Sequence, residues 1–252
     1  MNAIEIENVT FRHGHDNDVL VGLTLTANAG QVVGLLGANG AGKTTLFRLI
    51  TGLLRLQAGE IRVAGIDVRT ARREVSRRLG FVPDEPLLYP KMSALENINR
   101  FALLWGVPGA EARARGEKWL KEADLWHERN IWVETYSRGM RQRLALVCAL
   151  LHQPSVLVLD EPFNGLDLRA ALWLREVLKE RASDGDCVLL SSHQPDALDA
   201  VSDRLAVLHG GRIVRELDRA ELTRQGGSAK VFVSTCQGAA GAELDPRAEG
   251  VA

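Results

Sequence analysis

The sequence predicts an α/β fold built around a parallel β-sheet, and three observations lead to this prediction. After residue 150, short apolar strands alternate with segments of helical periodicity, which is typical of a sheet with helices on both faces. A glycine-rich segment follows the apolar run 32–36 and leads into a helix. A second apolar run, 155–159, ends in two carboxylates at the edge where open α/β sheets bind ligands.

The same patterns place the individual elements along the chain. Strands are predicted at about 3–9, 20–26, 31–36, 60–64, 79–82, 155–160, 186–191, 204–208 and 212–216. Helices are predicted at 43–54, 93–105, 110–124, 138–152, 168–182 and 195–201. Gly, Ala and Ser dominate from Gly226 onward, so we expect residues 226–252 to form a weakly structured tail with one strand at 230–234.

Composition restricts the class of protein and its surroundings. The chain has 252 residues, of which 46% are hydrophobic and 25% charged, which is enough to bury a sizeable core. Its net charge of −1 gives no bulk electrostatic reason to expect a nucleic-acid partner. Cys148, Cys187 and Cys236 are far apart and lack the spacing of metal ligands, so we expect a reducing, cytoplasmic environment and no zinc site. The longest apolar runs are much shorter than the roughly 20 residues of a membrane helix.

The glycine-rich segment has the pattern of a phosphate-binding loop, also called Walker A. Residues 37–45 read Gly-Ala-Asn-Gly-Ala-Gly-Lys-Thr-Thr, which fits Gly, four residues, Gly-Lys-Ser/Thr. A strand that turns into a helix through glycines points several unpaired backbone N–H groups into one concavity, where the helix dipole favours anions. We expect Lys43 to reach the β- and γ-phosphates as a binding and catalytic residue, and Thr44 to ligate Mg²⁺. The residues expected to bind the nucleotide here are Gly37, Asn39, Gly40, Ala41, Gly42, Lys43, Thr44 and Thr45.

The two carboxylates that end the second apolar run complete the chemistry of phosphoryl transfer. Placed against the phosphate loop, Asp160 can hold the Mg²⁺ shell. Glu161 can then orient and polarise the attacking water as a general base. The pair of motifs therefore predicts hydrolysis of a nucleoside triphosphate.

A third motif resembles the signature of ATP-binding cassette (ABC) proteins. It is the segment 136–143, Tyr-Ser-Arg-Gly-Met-Arg-Gln-Arg, which precedes the carboxylate strand. The segment 164–167, Asn-Gly-Leu-Asp, stands where ABC proteins have their D-loop, and His193 stands where they have their switch histidine. The resemblance covers about residues 3–218 and rests on motifs in the order of that family.

The resemblance implies both a fold and a shared active site. The fold is a P-loop NTPase (RecA-like) parallel core sheet with an N-terminal antiparallel β subdomain and an inserted helical subdomain at about 84–150, within a domain of residues 1–225. The working unit is a head-to-tail homodimer, in which Ser137 and Gly139 of one subunit cover the γ-phosphate of ATP held by the other. Asp167 adds to the nucleotide site from the D-loop, and His193 acts in catalysis by linking the γ-phosphate to Glu161. Ser137 is also a favourable residue for the N-cap of a helix.

Two positions depart from the family pattern. Asp84, in Gly-Phe-Val-Pro-Asp, stands where many relatives have the glutamine of the Q-loop. A carboxylate is a hard oxygen ligand, so we expect Asp84 to support Mg²⁺ binding. His13 stands where an aromatic residue normally stacks on adenine, and its imidazole offers a smaller stacking surface than tyrosine.

A window rich in tryptophan lies between the Q-loop and the signature. It contains Trp105, Trp119, Trp126 and Trp132, and it opens with Ser93-Ala-Leu-Glu, a capping-box pattern that predicts the start of a helix. By resemblance, this helical subdomain meets a coupling helix of a membrane partner. We expect most of the indole rings to fill the subdomain core and at least one to line the docking groove.

The implied function is an ATPase that drives a separate integral membrane permease from the inner face of the cell membrane. Arg138, Met140 and Asp84 together resemble exporter-type cassettes. Two alternatives stay open, a non-transport cassette ATPase acting on nucleic acid or translation, and a mechanical regulator of a membrane protein. The first alternative is disfavoured because the sequence has no second cassette, no long coiled-coil insertion between residues 43 and 160 and no strongly basic face.

Overall fold

Two β-sheets form the framework of the protein. The computed structural model describes residues 2–14 and 17–242, with side chains through residue 236. The strands are β1 (Asn2–Arg12), β2 (Asp18–Asn28), β3 (Val32–Leu36), β4 (Ala58–Val63), β5 (Ile66–Asp67), β6 (Leu79–Val82), β7 (Val156–Leu159), β8 (Cys187–Ser192), β9 (Arg204–His209) and β10 (Arg212–Asp218). One sheet is antiparallel, with the order β2-β1-β4-β5, and the other has the order β10-β9-β3-β8-β7-β6.

The larger sheet is the core of the fold. Strands β9, β3, β8, β7 and β6 are parallel, and β10 joins the edge of this sheet as an antiparallel strand. Every residue of β3, β7 and β8 is buried, as expected for continuous apolar strands covered on both faces. The predicted α/β class and the antiparallel β subdomain are therefore confirmed. Because β3, β8 and β7 are neighbours, their carboxyl ends bring the predicted catalytic segments to one edge.

Helices cover the core sheet and form the inserted subdomain. They are α1 (Lys43–Ile50), α2 (Arg72–Arg78), α3 (Ala94–Trp105), α4 (Gly109–Glu122), α5 (Arg138–Leu150), α6 (Leu168–Ser183), α7 (Pro195–Asp199), α8 (Arg219–Arg224) and α9 (Ser228–Ala242). Helix α3 packs against both α4 and α5. Within the part of the chain that the structure describes, no helix is long and apolar enough to cross a membrane.

The predicted capping box begins the helical subdomain. The Ser93 hydroxyl accepts the backbone N–H of Glu96 at 3.2 Å, and the Glu96 carboxylate accepts the N–H of Ser93 at 2.7 Å. Asn97, which is fully buried, donates to the carbonyls of Ser93 at 2.9 Å and Tyr89 at 3.1 Å. These bonds fix the segment 89–93 on the first turn of α3.

The strand predicted at 230–234 is wrong, because this segment belongs to helix α9. The β-branched pair Val231 and Val233 favoured a strand, but the first turn of the helix is fixed by Asp199 at the end of α7. The Asp199 carboxylate accepts the backbone N–H of Ser228 at 2.9 Å, and Val231 is fully buried in the core. Tertiary contacts therefore override the local preference. Residues 243–252 lie outside the described residues, and the division of the chain at residue 225 stays a prediction.

Helix α1 is shorter than predicted, and helix α8 was not predicted. Helix α1 ends at Ile50 and not at residue 54, because Gly52 adopts a φ of +69° and turns the chain. Helix α8 is an addition to the predicted elements, and it starts with a capping box in which Asp218 accepts the N–H of Glu221 at 2.8 Å.

Candidate active site

The phosphate loop joins β3 to α1 as the sequence predicts. Gly42 is the N-cap of α1 and has a φ of +106°, a conformation that side chains other than glycine rarely adopt. A Cβ atom at this position would lie 2.7 Å from Leu20. The loop, together with Asp84, Asp160 and Glu161, lines a cleft of about 230 Å³. The N-terminus of α1 thus opens toward a polar cleft of the kind that holds phosphates.

Lys43 lies at the base of this cleft with only 6% of its surface exposed. Its ammonium donates to the carbonyl oxygen of Gly37 at 2.7 Å and to that of Ala38 at 3.3 Å. The same nitrogen is 3.4 Å from the Oε1 atom of Glu161. The lysine charge is therefore held between the loop and the carboxylate, in a position from which it can also meet a phosphate.

Asp160 and Thr44 meet at the centre of the site. The Thr44 hydroxyl donates to Oδ2 of Asp160 at 2.7 Å, and Asp160 is 1% exposed. The other carboxylate oxygen, Oδ1, accepts from the hydroxyl of Ser191 at 2.6 Å. A hydroxyl and a carboxylate side by side are hard oxygen donors of the kind that Mg²⁺ prefers.

Glu161 and His193 form the predicted catalytic pair. Nδ1 of His193 lies 2.8 Å from Oε2 of Glu161, and the backbone N–H of His193 donates to the same oxygen at 3.1 Å. Glu161 itself has a φ of +50°, in the left-handed region, and its side chain is largely buried. Because β7 and β8 are adjacent, the residues after these strands place the carboxylate between Lys43 and His193.

His13 lies beside the first turn of α1. Its Nε2 atom is 3.3 Å from the Thr45 hydroxyl, and its ring meets that of Phe11 edge-on, with centroids 4.9 Å apart. The imidazole is exposed and borders the phosphate-loop helix. Stacking of His13 on adenine stays a prediction.

Asp84 connects its own loop after β6 to the first turn of α5 and to the loop before α6. Its Oδ1 atom accepts from Arg138 at 2.8 Å and from the side-chain amide of Asn164 at 3.2 Å. Asp84 also lines the cleft. The Q-loop position is thus tied to the signature helix and to the D-loop of the same chain, and its predicted role toward Mg²⁺ stays a prediction.

We expect Asp84→Gln to retain ATPase activity within about fivefold of the wild type. Glutamine keeps an acceptor oxygen, and the ion pair it removes is half-exposed, so that pair is worth at most roughly 1 kcal/mol. Steady-state ATPase assays measure the retained activity. The comparison is Asp84→Ala, which removes both carboxylate oxygens. Complete loss of activity in Asp84→Gln would contradict a simple oxygen-ligand role.

The signature and D-loop residues lie outside the cleft. Ser137 is the N-cap of α5, where its hydroxyl accepts the N–H of Met140 at 3.2 Å, as predicted. Gly139 packs so closely on the D-loop that a Cβ atom would lie 2.7 Å from the carbonyl oxygen of Gly165. Asp167 is the N-cap of α6 and accepts the N–H of Ala170 at 2.8 Å. None of Ser137, Gly139 and Asp167 lines the cleft that holds Lys43.

Two residues that sequence reasoning missed contact the predicted site. Ser191 bonds to Asp160 and also accepts the backbone N–H of Glu161 at 3.0 Å. Its only signal in the sequence is a hydroxyl at the end of the apolar run 188–192. Asn164 reaches Asp84 from the D-loop, and its sequence position alone did not indicate this contact.

The fold and the site define a P-loop ATPase, with a phosphate loop, a carboxylate pair and a histidine at the edge of a parallel sheet. Residues 20–164 match the family model described as ABC transporter. The chain belongs to the ABC transporter family, and the predicted ATP binding and ATPase activity of an ABC subunit are confirmed.

Similar proteins with curated descriptions are named as ATP-binding proteins. Daunorubicin resistance ATP-binding protein DrrA3 of Streptomyces coeruleorubidus is 36% identical over 231 residues, which cover 92% of this chain and 73% of that protein. Nod factor export ATP-binding protein I of Burkholderia lata is 37% identical over 213 residues, 84% of this chain and 70% of that protein.

Solved structures show the same architecture. The ATP-binding subunit of an ABC transporter has a TM-score of 0.86 at 29% identity, over 93% of this chain and 99% of that one. A dimeric ATP-binding cassette in a post-hydrolysis state, bound to ADP and Pi, has a TM-score of 0.76 at 25% identity, over 86% of this chain and 98% of that one.

Proposed function

We propose that this ATPase works as a Mg²⁺-dependent, head-to-tail homodimer on the inner face of the cell membrane, where it drives a separate permease in export. The proposal of a dimer rests on the division of the site. One chain brings together five of the predicted site residues: Lys43, Thr44, Asp160, Glu161 and His193. The signature residues Ser137 and Gly139 lie outside this cleft. A second copy would bring its own signature helix to the ATP held here, and a similar cassette is a dimer.

The donor atoms of the cleft fit Mg²⁺ bound together with a triphosphate. Thr44 and Asp160 already share a hydrogen bond, so both oxygens point to one place. Mg²⁺ typically takes one or two protein oxygens and completes its octahedron with phosphates and waters. Asp84, on the rim of the same cleft, is the further candidate ligand. The bound ion would neutralise charge on the β- and γ-phosphates.

The chain's own residues would carry the hydrolytic step. When ATP binds, the Lys43 ammonium exchanges the carbonyl oxygens of Gly37 and Ala38 for phosphate oxygens. Glu161 then accepts a proton from the water that attacks the γ-phosphorus, while the bond to the leaving ADP oxygen breaks. His193 holds the carboxylate through its Nδ1–H and its backbone N–H, and its imidazolium form would present Nε2–H as a donor to the γ-phosphate.

An apolar surface on the helical subdomain fits a permease contact. Trp119 is buried in the subdomain core and Trp105 and Trp126 are partly exposed, whereas Trp132 is 54% exposed. The segment around Trp132 pairs with the segment around Ser93, and the exposed side chains of Tyr89 and Ile131 border these two segments, with exposed Leu87 two residues before Tyr89. We call Leu87, Tyr89, Ile131 and Trp132 the docking patch, and its occupant is an amphipathic coupling segment of the permease.

Export and transport are supported by the relatives and not by the site itself. The Burkholderia relative is named for Nod factor export and the Streptomyces relative for drug resistance, so we extend export to this chain. These names also favour transport over action on nucleic acid or translation. Affinity purification of the tagged chain from detergent-solubilised host membranes tests the proposal, with an integral membrane protein as the expected partner. Recovery of nucleic acid in its place would contradict it.

We expect Trp132→Glu to reduce recovery of the permease at least tenfold. A charge at the centre of an apolar interface is desolvated without a partner, and interface tryptophans commonly contribute 2 kcal/mol or more, roughly 30-fold in affinity. Val214→Glu, which alters an exposed apolar side chain of β10 away from the docking patch, is the matched control. Equal recovery with both variants would place the permease contact elsewhere, provided that both still bind ATP.

A further inference from the structure

Ser191 is a buried hydroxyl placed between Asp160, the proposed Mg²⁺ ligand, and Glu161, the proposed general base. It lies near the end of β8 with no exposed surface. Its hydroxyl donates to Oδ1 of Asp160 at 2.6 Å and accepts the backbone N–H of Glu161 at 3.0 Å. One side chain of β8 therefore satisfies a polar atom in each of two consecutive residues that follow β7.

The contact with Asp160 fixes the direction of its carboxylate. Thr44 of α1 donates to Oδ2 at 2.7 Å, and Ser191 of β8 donates to Oδ1. Each carboxylate oxygen of Asp160 is therefore held by a different element. A carboxylate held at both oxygens does not rotate about its last bond without breaking a hydrogen bond. Ser191 thereby determines which lone pairs of Asp160 remain directed toward the cleft.

The contact with Glu161 holds an unusual backbone conformation. Glu161 has a φ of +50°, in the left-handed region that residues with a side chain rarely adopt. This turn directs the carboxylate to Lys43 and His193, at 3.4 Å and 2.8 Å. Because the backbone N–H of Glu161 donates to the Ser191 hydroxyl, this hydrogen bond stabilises the strained conformation of Glu161 itself.

We propose that Ser191 is a positioning residue of the ATPase, which orients Asp160 for Mg²⁺ and holds Glu161 in its catalytic turn. The metal half of this inference rests on the proposed Mg²⁺ dependence. Residues that orient metal ligands in this way typically change metal affinity or activity 10–100-fold when they are removed. Ser191→Ala leaves Oδ1 of Asp160 and the N–H of Glu161 buried without their partner.

A second buried serine provides a matched control. Ser202 is 1% exposed, and its hydroxyl has no hydrogen-bond partner among the described residues. Ser202→Ala therefore removes the same atom from a similarly buried position without breaking a contact to the site. Any general effect of deleting a buried hydroxyl appears in both variants.

The experiment measures ATP affinity in EDTA and at a series of Mg²⁺ concentrations up to excess, together with kcat and the melting temperature. For Ser191→Ala we expect a 10–100-fold higher Mg²⁺ concentration at half-maximal binding and a similar fall in kcat, with ATP affinity in EDTA unchanged. Ser202→Ala is expected to match the wild type in these measurements. Ser191→Thr, which keeps the hydroxyl, is expected to restore the Mg²⁺ response. If Ser191→Ala does not fold, Ser191→Cys, which replaces the hydroxyl by a weaker hydrogen-bonding thiol, is measured in its place and compared with Ser191→Thr.

The outcomes separate failure of this inference from failure of the proposed function. A wild-type chain whose ATP affinity does not respond to Mg²⁺ would refute the proposed metal dependence and the metal half of the inference with it. If the wild type responds to Mg²⁺ and Ser191→Ala shows the same response and the same kcat, the role of Ser191 is refuted while the proposed metal dependence stands. Equal loss of ATP affinity in Mg²⁺ and in EDTA, with a lower melting temperature, would assign Ser191 a structural role.

Discussion

Glu161→Gln is expected to lower the rate of ATP hydrolysis by about 10²–10⁴-fold while the chain still binds ATP. Glutamine keeps an oxygen for the N–H groups of His193, so the geometry at 2.8 Å and 3.1 Å can persist. It cannot accept the proton of the attacking water. The phosphate loop and Lys43 are unchanged, so the binding of the triphosphate is retained.

The same variant is expected to accumulate as an ATP-bound dimer. ATP stabilises the closed pair only while its γ-phosphate is present, and slow hydrolysis prolongs that state. Size-exclusion chromatography with light scattering at saturating Mg-ATP measures this, and Glu176→Gln, on the exposed face of α6, is the control. A monomeric Glu161→Gln chain that has bound ATP would contradict the shared-site mechanism.

The parts of the site that sequence predicts well are those fixed by local connectivity. Lys43 follows the loop directly and begins α1, so its position relative to Gly37 is set within a few residues. Asp160 and His193 come after neighbouring parallel strands, and the topology brings such ends together. Apolar strands buried on both faces are the strongest signal in the chain, which explains why the core sheet was predicted closely.

Contacts between separate loops are beyond the reach of local patterns. Asp84, Arg138 and Asn164 meet although they lie on three different segments, and each has a charge or amide that is ordinary for a surface residue. The contacts of Ser191 with Asp160 and Glu161 depend on which face of β8 its hydroxyl occupies. Because β8 is buried on both faces, the apolar pattern of its sequence does not show which face that is. These are the interactions that only the three-dimensional structure reveals.

Helix α9 shows the same limit for secondary structure. Val231 and Val233 have the alternation of a strand, yet both belong to helix α9, where Val231 is fully buried. The bonds between Ser228 and Asp199 join residues 29 positions apart, at the end of α7. Because α7 follows His193 closely in sequence, α9 is anchored on the segment that carries the predicted switch histidine.

Lys43→Ala is expected to weaken ATP binding by roughly 10–150-fold, in contrast to Glu161→Gln. A hydrogen bond to a charged group contributes about 1.5–3 kcal/mol, and each 1.4 kcal/mol is tenfold in affinity. Deletion of the ammonium also leaves Glu161, its neighbour at 3.4 Å, without this cation in a largely buried position. That carboxylate then faces the incoming phosphates with no lysine between them, which adds repulsion to the loss of attraction.

Equilibrium titration of ATP in EDTA isolates this loss from the metal-dependent part of binding. Lys179→Ala, which removes an exposed lysine of α6, should bind ATP like the wild type. The two active-site variants then have opposite signatures. Lys43→Ala binds ATP weakly and forms little dimer, whereas Glu161→Gln binds ATP, dimerises and hydrolyses slowly. If Lys43→Ala retained wild-type affinity and lost only turnover, the lysine would act on the transition state alone. The contacts of its ammonium with Gly37 and Ala38 favour a loss of ATP affinity, because they place Lys43 at the base of the phosphate cleft before any reaction begins.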